Sequence, residues 1–592
     1  MNLLDNMTFC KALTLPFRIT PMAAIVGIID RLLGIVIAPI SIIITSYFID
    51  TAINVITEEQ DVRRVILPLI VMVFFSIYGY ITSPLLGLIN QRAAMKTYRI
   101  LREQFIAKRV GLEYKHIESM ETMDLINRVW SDPERRISEI LSNLLNCFST
   151  IGITVSFVVI LFTYAPIIGS IVFALSVPAF FIALKAGKAT YQAYRETTVD
   201  RRFSWSFYWV LTARETTAER NMFNYSQYMG DKYMYHFEKD RKHRLKTNRL
   251  WFIRSKSTAM ITGALSIVSM ILLAPSVASR SLSVGMFIAL QGVLFSSVQM
   301  ISVNLPNHYK VYIKQREFIK ELNAFFNLSK ISGAEALPAQ PPEFKKLEFR
   351  NVSFVYPGTK KIILDKLSFT IEKGMQYSFV GVNGAGKTTI IKLITRLYDD
   401  YTGEILLNGK TLRDWPLEKI KACFCVLFQD FARYDITVAE NVAIGKINNA
   451  TKAEIDNALN VSGFMQCAEE LMNGTETLLG KTHEYGVDLS SGQWQRLAFA
   501  RAIINPAPVK ILDEPTAALD PIAESHVYAQ FKSISAGSTT IFISHRLASA
   551  KLADTIFVLN NGRLEEIGNH DQLLAAQGVY AEMYTSQQSW YK

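Results

Sequence analysis

Residues 378–388 read Ser-Phe-Val-Gly-Val-Asn-Gly-Ala-Gly-Lys-Thr. The apolar run Ser378–Val380 predicts a strand. Gly381-Val382-Asn383-Gly384-Ala385-Gly386-Lys387-Thr388 predicts a loop that opens a helix. Glycines let successive backbone N–H groups curl round a row of phosphates, and the helix N-terminus adds positive potential. At this spacing the Lys387 ammonium reaches the terminal phosphates, and the Thr388 hydroxyl is a ligand for Mg2+. The strand–loop–helix context separates this match from a chance one.

Two later stretches narrow the nucleotide site. Leu489-Ser490-Ser491-Gly492-Gln493 precedes the apolar run Val509–Leu512, which ends in Asp513-Glu514. Asp513 is expected to hold Mg2+ through a water, and Glu514 to polarise a water attacking the γ-phosphate. An Asp-Glu pair alone says little. Here Pro515-Thr516-Ala517-Ala518-Leu519-Asp520 follows it, and then Ile543-Ser544-His545-Arg546.

The rest of the chain decides where this site works. At 592 residues the chain is too long for one core. Half of its residues are hydrophobic, and they crowd the first half. Six apolar stretches, about 22–51, 65–90, 138–163, 166–187, 257–279 and 284–306, are each long enough to cross about 30 Å of hydrocarbon. The loops at 52–64, 164–165 and 280–283 are short, and hold only Arg63, Arg64 and Arg280 as basic residues. Those at 91–137 and 188–256 are long and basic, with Arg92, Lys96, Arg99 and Arg102 in the first and Arg201, Arg202, Arg241 and Lys242 in the second. Positive charge accumulates on the cytoplasmic side of a membrane protein, so both long loops and both termini are expected there. The net charge of +11 is thus explained by lipid headgroups and topology, and nucleic-acid binding is not expected.

The long loops have helical apolar spacing at Lys96–Ile106 and Phe203–Arg220 and few breakers, so the spanning helices are expected to continue into the cytosol. Short connecting helices are expected near Ser119–Asn127 and Thr217–Tyr225. Pro338, Pro341 and Pro342 mark a linker. The domain plan is therefore a membrane domain over 1–330, a linker over 331–344 and an ATP-binding domain over 345–592, with strands at Leu347–Tyr356 and Gln376–Val380. No Cys-x-x-Cys pair and no metal-spaced His cluster occurs among five cysteines and eight histidines. Cys423 and Cys425 are expected on one face of a strand as small apolar residues. No cleavable signal peptide is expected, because Asp5, Lys11 and Arg18 precede a stretch long enough to span.

With these motifs in place, residues 345–592 resemble the ATPase domain of an ABC transporter. The six spans with two long cytoplasmic loops resemble the matching exporter-type membrane domain, so the resemblance covers nearly the whole chain. The fold it implies is an all-α six-helix transmembrane domain followed by an α/β P-loop ATPase domain of ABC type. It implies that Tyr356, in Phe354-Val355-Tyr356-Pro357, stacks on adenine. Gly381, Asn383, Gly384, Ala385, Gly386, Lys387, Thr388 and Thr389 would hold the phosphates. Gln429 would sense Mg2+ and the γ-phosphate. Ser490, Ser491, Gly492 and Gln493 would meet the nucleotide of a second subunit, Asp520 would communicate across the dimer, and His545 would hold the γ-phosphate and the catalytic water. Catalysis would rest on Glu514, His545 and Gln429, and the metal on Thr388, Gln429 and Asp513.

Two residues depart from the family pattern. Ser491 stands where Gly is usual and adds bulk beside a phosphate. Lys510 stands in the strand leading to Asp513, where an apolar residue is usual; it is expected near the strand's entry, with its stem buried and its ammonium in solvent. One loop and one signature per chain imply a dimer. A homodimer is favoured over a heterodimer with a related half-transporter. The implied function is ATP-driven export of an amphipathic or hydrophobic cargo from a plasma (inner) membrane, with the ATPase domain in the cytoplasm and a prokaryotic source. Import of a chelate-like cargo, or an ATP-gated channel or sensor, stays open. Phe428-Gln429-Asp430-Phe431-Ala432-Arg433-Tyr434 and Trp494 resemble the subgroup that exports modified peptides such as lantibiotics. No cysteine-peptidase domain precedes the first span, so leader cleavage is not expected.

Asp30 and Arg31 lie inside the first span, where charge is costly and faces a cavity or a partner. Gln291, Gln299 and Asn304 are weaker cargo candidates. Asp30→Ala is expected to alter cargo-stimulated ATPase and to spare the basal rate. Unchanged stimulation would remove Asp30 from the cavity.

Overall fold

The computed structural model describes residues 3–4, 6–57, 61–333, 336–338, 340–447, 449–481, 484–514, 538–543 and 550–589. Contacts divide the chain into two units: Met1–Ala107 with Leu125–Asn327, and Lys108–Asp124 with Leu328–Lys592.

The first unit is helical. A short helix, α1 (Phe9–Ile19), is capped by the Thr8 hydroxyl, which accepts from the Lys11 N–H. Helices α2 (Pro21–Thr57) and α3 (Arg63–Val110) follow. After α4 (Tyr114–Glu118) and α5 (Met120–Trp130) come α6 (Pro133–Tyr164), α7 (Pro166–Glu196), α8 (Thr198–Thr212), α9 (Thr217–Phe223) and α10 (Ser226–Ala278). Helix α11 (Val284–Gln299) passes through a π-helical turn, Met300–Asn304, into α12 (Leu305–Asn327). Helices thus cover each of the six apolar stretches. Among the described residues α2, α3 and α6 are long and apolar enough to cross a membrane, and Ile267–Ala278 and α11 are shorter apolar helical stretches.

Packing agrees with a lipid environment. Leu32, Val36 and Ile43 on α2, and Leu67, Phe74, Ile81 and Leu88 on α3, are exposed. Rows of exposed large apolar side chains are rare on proteins that face water on all sides. The 48 residues of α3 and the 53 of α10 extend about 70 and 80 Å, so each continues well past a bilayer core of about 30 Å.

At the first basic loop a short helix, α5, covers the expected Ser119–Asn127 from Met120 on, and a further one, α4, precedes it. A brief ladder ends α3. The Ile331 N–H donates to the Gly111 carbonyl at 2.9 Å and the Glu113 N–H to the Ser329 carbonyl at 3.3 Å. Lys108 Nζ donates to the Leu328 carbonyl at 2.6 Å. Ser119, in extended conformation, then separates α4 from α5. In the second loop the tip helix is α9, within the expected stretch.

The second unit is α/β. An antiparallel sheet has the order β2-β1-β4-β5, with β1 (Lys346–Val355), β2 (Ile362–Glu372), β4 (Thr402–Leu407) and β5 (Lys410–Thr411). A six-stranded sheet has the order β10-β9-β3-β8-β7-β6. Its strands are β3 (Gln376–Gly381), β6 (Phe424–Leu427), β7 (Val509–Asp513), β8 (Thr539–Ile543), β9 (Thr555–Asn560) and β10 (Arg563–Gly568). The neighbours β3, β8, β7 and β6 run parallel. Every residue of β7 and β8 is buried, as a parallel sheet covered on both faces requires. Loop-to-helix connections place α13 (Lys387–Ile394) after β3, α14 (Leu417–Cys423) before β6 and α15 (Val438–Ala443) after it. Helices α16 (Lys452–Val461) and α17 (Met465–Glu470) lead on to α18 (Ser491–Ile504), and α19 (His570–Ala575) and α20 (Val579–Ser589) close the chain.

The cysteine expectation is corrected here. Cys423 closes α14 and only Cys425 lies in β6. Both are buried, in separate packed clusters. Burial pushes their thiols up to about 12 and about 11 respectively, so both are inert packing residues.

Candidate nucleotide site

Ligands of open parallel sheets bind outside the carboxyl ends of the strands. Register aligns those ends: Phe379 and Asp513 both pair with Ile543, and Leu427 pairs with Leu512. The loop Gly381–Thr388 after β3, Asp513-Glu514 at the end of β7 and Gln429 just after β6 therefore emerge at one edge. Ser544 and His545, which follow β8 in sequence, lie outside the described residues, as does Asp520.

The loop has the geometry that its glycines allow. Gly384 and Gly386 have φ of +80° and +101°, a region L side chains rarely occupy. At Gly386 a Cβ would also meet Leu364 Cδ2 at 2.6 Å. Gly386 caps α13, and the next residue, Lys387, is only 5% exposed. Its Nζ donates to the carbonyls of Gly381 at 2.8 Å and Val382 at 3.2 Å. Burial lowers the Lys387 pKa, opposed by the Glu514 and Asp513 carboxylates. Thr388 Oγ1 donates to Asp513 Oδ2 at 3.1 Å.

Asp513 is 1% exposed, and its Oδ1 has no hydrogen-bond partner among the described residues. Burial raises its pKa to about 6, against the Thr388 hydrogen bond and with help from Glu514. A buried carboxylate oxygen without a donor, beside a Thr hydroxyl and a sequestered ammonium, suits a phosphate-bound divalent cation: a cation would satisfy the oxygen and hold the group ionised.

Glu514 has φ of +50°. A left-handed glutamate costs about 1–2 kcal/mol. The position is fixed from two sides: its N–H donates to the Ile543 carbonyl at 2.9 Å, and Gln429 Nε2 donates to its Oε2 at 2.8 Å. The structure thus brings Gln429, Glu514, Asp513, Thr388 and Lys387 together.

Tyr356 is half-buried, and its hydroxyl is 2.9 Å from Thr389 Oγ1. Phe354 and Tyr398 meet its ring edge-on, at 5.0 and 5.4 Å. The Asn383 and Thr388 side chains are exposed and Ala385 is buried.

Ser490 caps α18. Its hydroxyl accepts from the Gln493 N–H and its own N–H donates to Gln493 Oε1, a reciprocal capping box. The Gln493 carboxamide oxygen is thereby committed to the helix start, and its Nε2 donates to Cys467 Sγ at 3.1 Å. Ser490 and Ser491 are exposed, and with Gly492 they present the first turn of α18.

Lys510 departs from expectation. It is 7% exposed, and its Nζ donates to the Ile503 carbonyl in the last turn of α18. It does not reach solvent, because β7 is flanked on both sides by β6 and β8. Lys510 instead neutralises the carbonyl end of the signature helix. Burial lowers its pKa.

Sequence reading missed Arg501 and Asn441. Arg501, on the same helix, donates to the Ala432 carbonyl at 2.9 Å and to Asn441 Oδ1 at 3.2 Å, and lies over the Tyr434 ring. Asn441 is fully buried and its Nδ2 holds the carbonyls of Tyr434, Ile436 and Thr437. Together they tie the segment after Gln429 to α18. An arginine amid the apolar Leu497–Ile504 was the available signal.

In the first unit, Asp30 pairs with its neighbour Arg31 at 2.5 Å, and Arg31 donates to Asn146 at 2.7 Å. Gln291 accepts from Ser269 at 3.2 Å. Gln299 ends α11 and Asn304 lies in the π turn.

The model of the ABC transporter family matches residues 364–517. The chain is 28% identical to the subtilin transport ATP-binding protein SpaT of Bacillus subtilis, over 92% of this chain and 89% of that one. It is 33% identical to the ATP-dependent lipid A-core flippase of Haemophilus influenzae, over 56% of each. Among solved structures a bacterial Atm1-family ABC exporter with ATP bound shares the fold, with a TM-score of 0.76 at 22% identity, covering 95% of this chain and 98% of that one.

The buried ammonium of Lys510 costs stability at neutral pH, and the cost shrinks as pH rises from its lowered folded pKa toward the unfolded value. Lys510→Met, which keeps the stem and removes the charge, is expected to leave the thermal midpoint of the full chain unchanged or a few degrees higher. Lys510→Ala, which opens a cavity beside Cys425, is expected to lower it; scanning calorimetry in nanodiscs reads both. Residues 364–517, with the phosphate loop and the Asp513-Glu514 pair, thus belong to an ATPase domain of the ABC transporter family, and the whole chain shares the fold of a bacterial Atm1-family ABC exporter.

Proposed function

We propose that the chain exports an amphipathic or hydrophobic peptide from the cytoplasm, as one half of a dimer that closes on ATP. ATP-driven transport is the activity of the matched family; the cargo class, the dimer and the residue roles are our reading. The observation that carries it is the meeting of Gln429 and Glu514 beside Asp513, Thr388 and Lys387.

Lys387 leaves its loop carbonyls for the terminal phosphates, exchanging two neutral acceptors for charged ones. Thr388 and Asp513 would hold Mg2+, which would supply neutralisation of charge on the phosphate oxygens. Glu514 takes the proton of the attacking water, and Gln429 orients its carboxylate. The backbone of Glu514 is fixed before nucleotide arrives, so little reorganisation is left for the chemical step. Ser490, Ser491 and Gly492, at the N-terminus of the 14-residue α18, face the γ-phosphate of the partner's nucleotide. Asp520 and His545 complete the site in this reading.

The dimer reading is supported by the single loop and single signature of each chain, and a second copy is the simplest partner. The peptide reading is supported by the reach of the similarities. The match to the subtilin transporter spans 92% of the chain, membrane helices included, whereas that to the flippase of Haemophilus influenzae spans 56%. A multi-pass protein of a prokaryotic inner membrane, with its ATPase domain in the cytoplasm, fits the basic long loops and the bacterial relatives.

Glu514→Gln is expected to lower ATPase turnover of the single-gene product in nanodiscs by about 10²–10⁴-fold, with ATP still bound. Turnover within a few-fold of wild type would overturn Glu514 as the base. Light scattering of the same sample is expected to give the mass of two chains. A mass of one chain would sink the homodimer.

A further inference from the structure

The Lys392 ammonium sits in a box that no motif identifies. Its Nζ is 2.7 Å from Glu118 Oε1. It lies 5.2 Å from the ring centroid of Tyr114, 5.3 Å from that of Tyr356 and 5.9 Å from that of Tyr398. The Tyr398 hydroxyl donates to the second oxygen of Glu118, and Tyr114 meets Tyr398 edge-on at 5.6 Å. Two walls of the box, Tyr114 and Glu118, come from the loop tip α4. The other two, Tyr356 and Tyr398, belong to the ATPase core, and Lys392 itself lies on α13, the helix that the phosphate loop opens.

We propose that Lys392 is a positioning residue for Tyr356, anchored by Glu118, so that the first cytoplasmic loop takes part in selecting the nucleotide base. This rests on the reading in which Tyr356 stacks on adenine. A plain docking contact between loop and domain needs only the Glu118–Lys392 ion pair. The placement of the ammonium over Tyr356 goes further. A cation over an aromatic ring is held by the ring's quadrupole, so it restrains the ring plane and withdraws electron density from it. The Tyr356 hydroxyl is held by Thr389 and its edges by Phe354 and Tyr398. Lys392 restrains what those contacts leave free, the tilt of the plane. Stacking depends on that tilt and on the electron density of both rings, and adenine and guanine differ in both charge pattern and edge.

The electrostatics are those of a committed pair. Burial, opposed by the Lys392 and Tyr398 hydrogen bonds, leaves the Glu118 pKa lowered; that of Lys392 is raised. Both groups stay charged across the physiological range, so the anchor is constant and not a pH switch.

The test is steady-state hydrolysis of ATP and of GTP by the full chain in nanodiscs. Lys392→Met is expected to raise KM for ATP about fivefold, the weight of one cation–π contact, and to narrow the ATP-over-GTP preference, with kcat at saturation within twofold. Glu118→Gln is expected to shift both in the same direction by less, and Lys392→Arg to restore the preference. A loss of kcat with KM and base preference unchanged would mean a docking contact only and overturn the proposal. If Lys392→Met does not assemble, Glu118→Gln, on the loop tip, decides by the same two readouts. Tyr356→Leu separates the two readings. If it leaves KM and preference unchanged, the adenine role of Tyr356 fails. If it changes them and Lys392→Met does not, only the present inference fails.

Discussion

Burial of opposite charges at one sheet edge is the constraint on which the nucleotide site depends. Lys387 and Asp513 are 5% and 1% exposed, and each alone would be costly to dehydrate. Their costs are partly met by local partners: two loop carbonyls for Lys387, and the Thr388 hydroxyl for Asp513. The match is incomplete, since Asp513 Oδ1 keeps no partner among the described residues. A site left under-satisfied in this way has affinity to spend on a ligand that brings both negative oxygens and a cation. The parallel strands matter because they carry these groups to one place on buried, rigid backbone.

The same edge holds a strained residue. Glu514 is the first residue after β7 and takes a left-handed conformation that its side chain does not favour. Its N–H bond to Ile543 and the Gln429 contact hold it there. Gln429 is in turn followed by a segment pinned to α18 by Arg501 and Asn441. The helix α18 and Glu514 are thus linked through one short stretch of chain.

The two departures from the family pattern have different weights. Ser491 sits in the first turn of α18, exposed, beside a capping box that satisfies the helix start without it. Lys510 is embedded, and its ammonium caps the other end of the same helix. Both odd residues therefore meet α18: Ser491 lies in its first turn, and Lys510, on β7, donates to a carbonyl of its last turn. An apolar residue at 510 would pack as well but would leave the Ile503 carbonyl without that donor.

The sequence by itself determined the identity of the phosphate loop, the Asp513-Glu514 pair, the signature and the apolar stretches, because each is a local pattern whose chemistry depends on spacing along the chain. Gly384 and Gly386 declare positive φ, and an apolar run declares a buried strand, before any neighbour is known. What lay beyond it was set by residues far apart in the chain. The short ladder between 111–113 and 329–331 ends α3 and is followed by a helix, Tyr114–Glu118, that the sequence reading did not mark. The flanking strands buried Lys510, which its sequence neighbours suggested would reach water. The box around Lys392 joins residues 114, 118, 356, 392 and 398, of which only Tyr356 is marked by a motif. Such contacts form only when strand order and helix ends fix which side chains share a space, and that is information the tertiary structure alone contains.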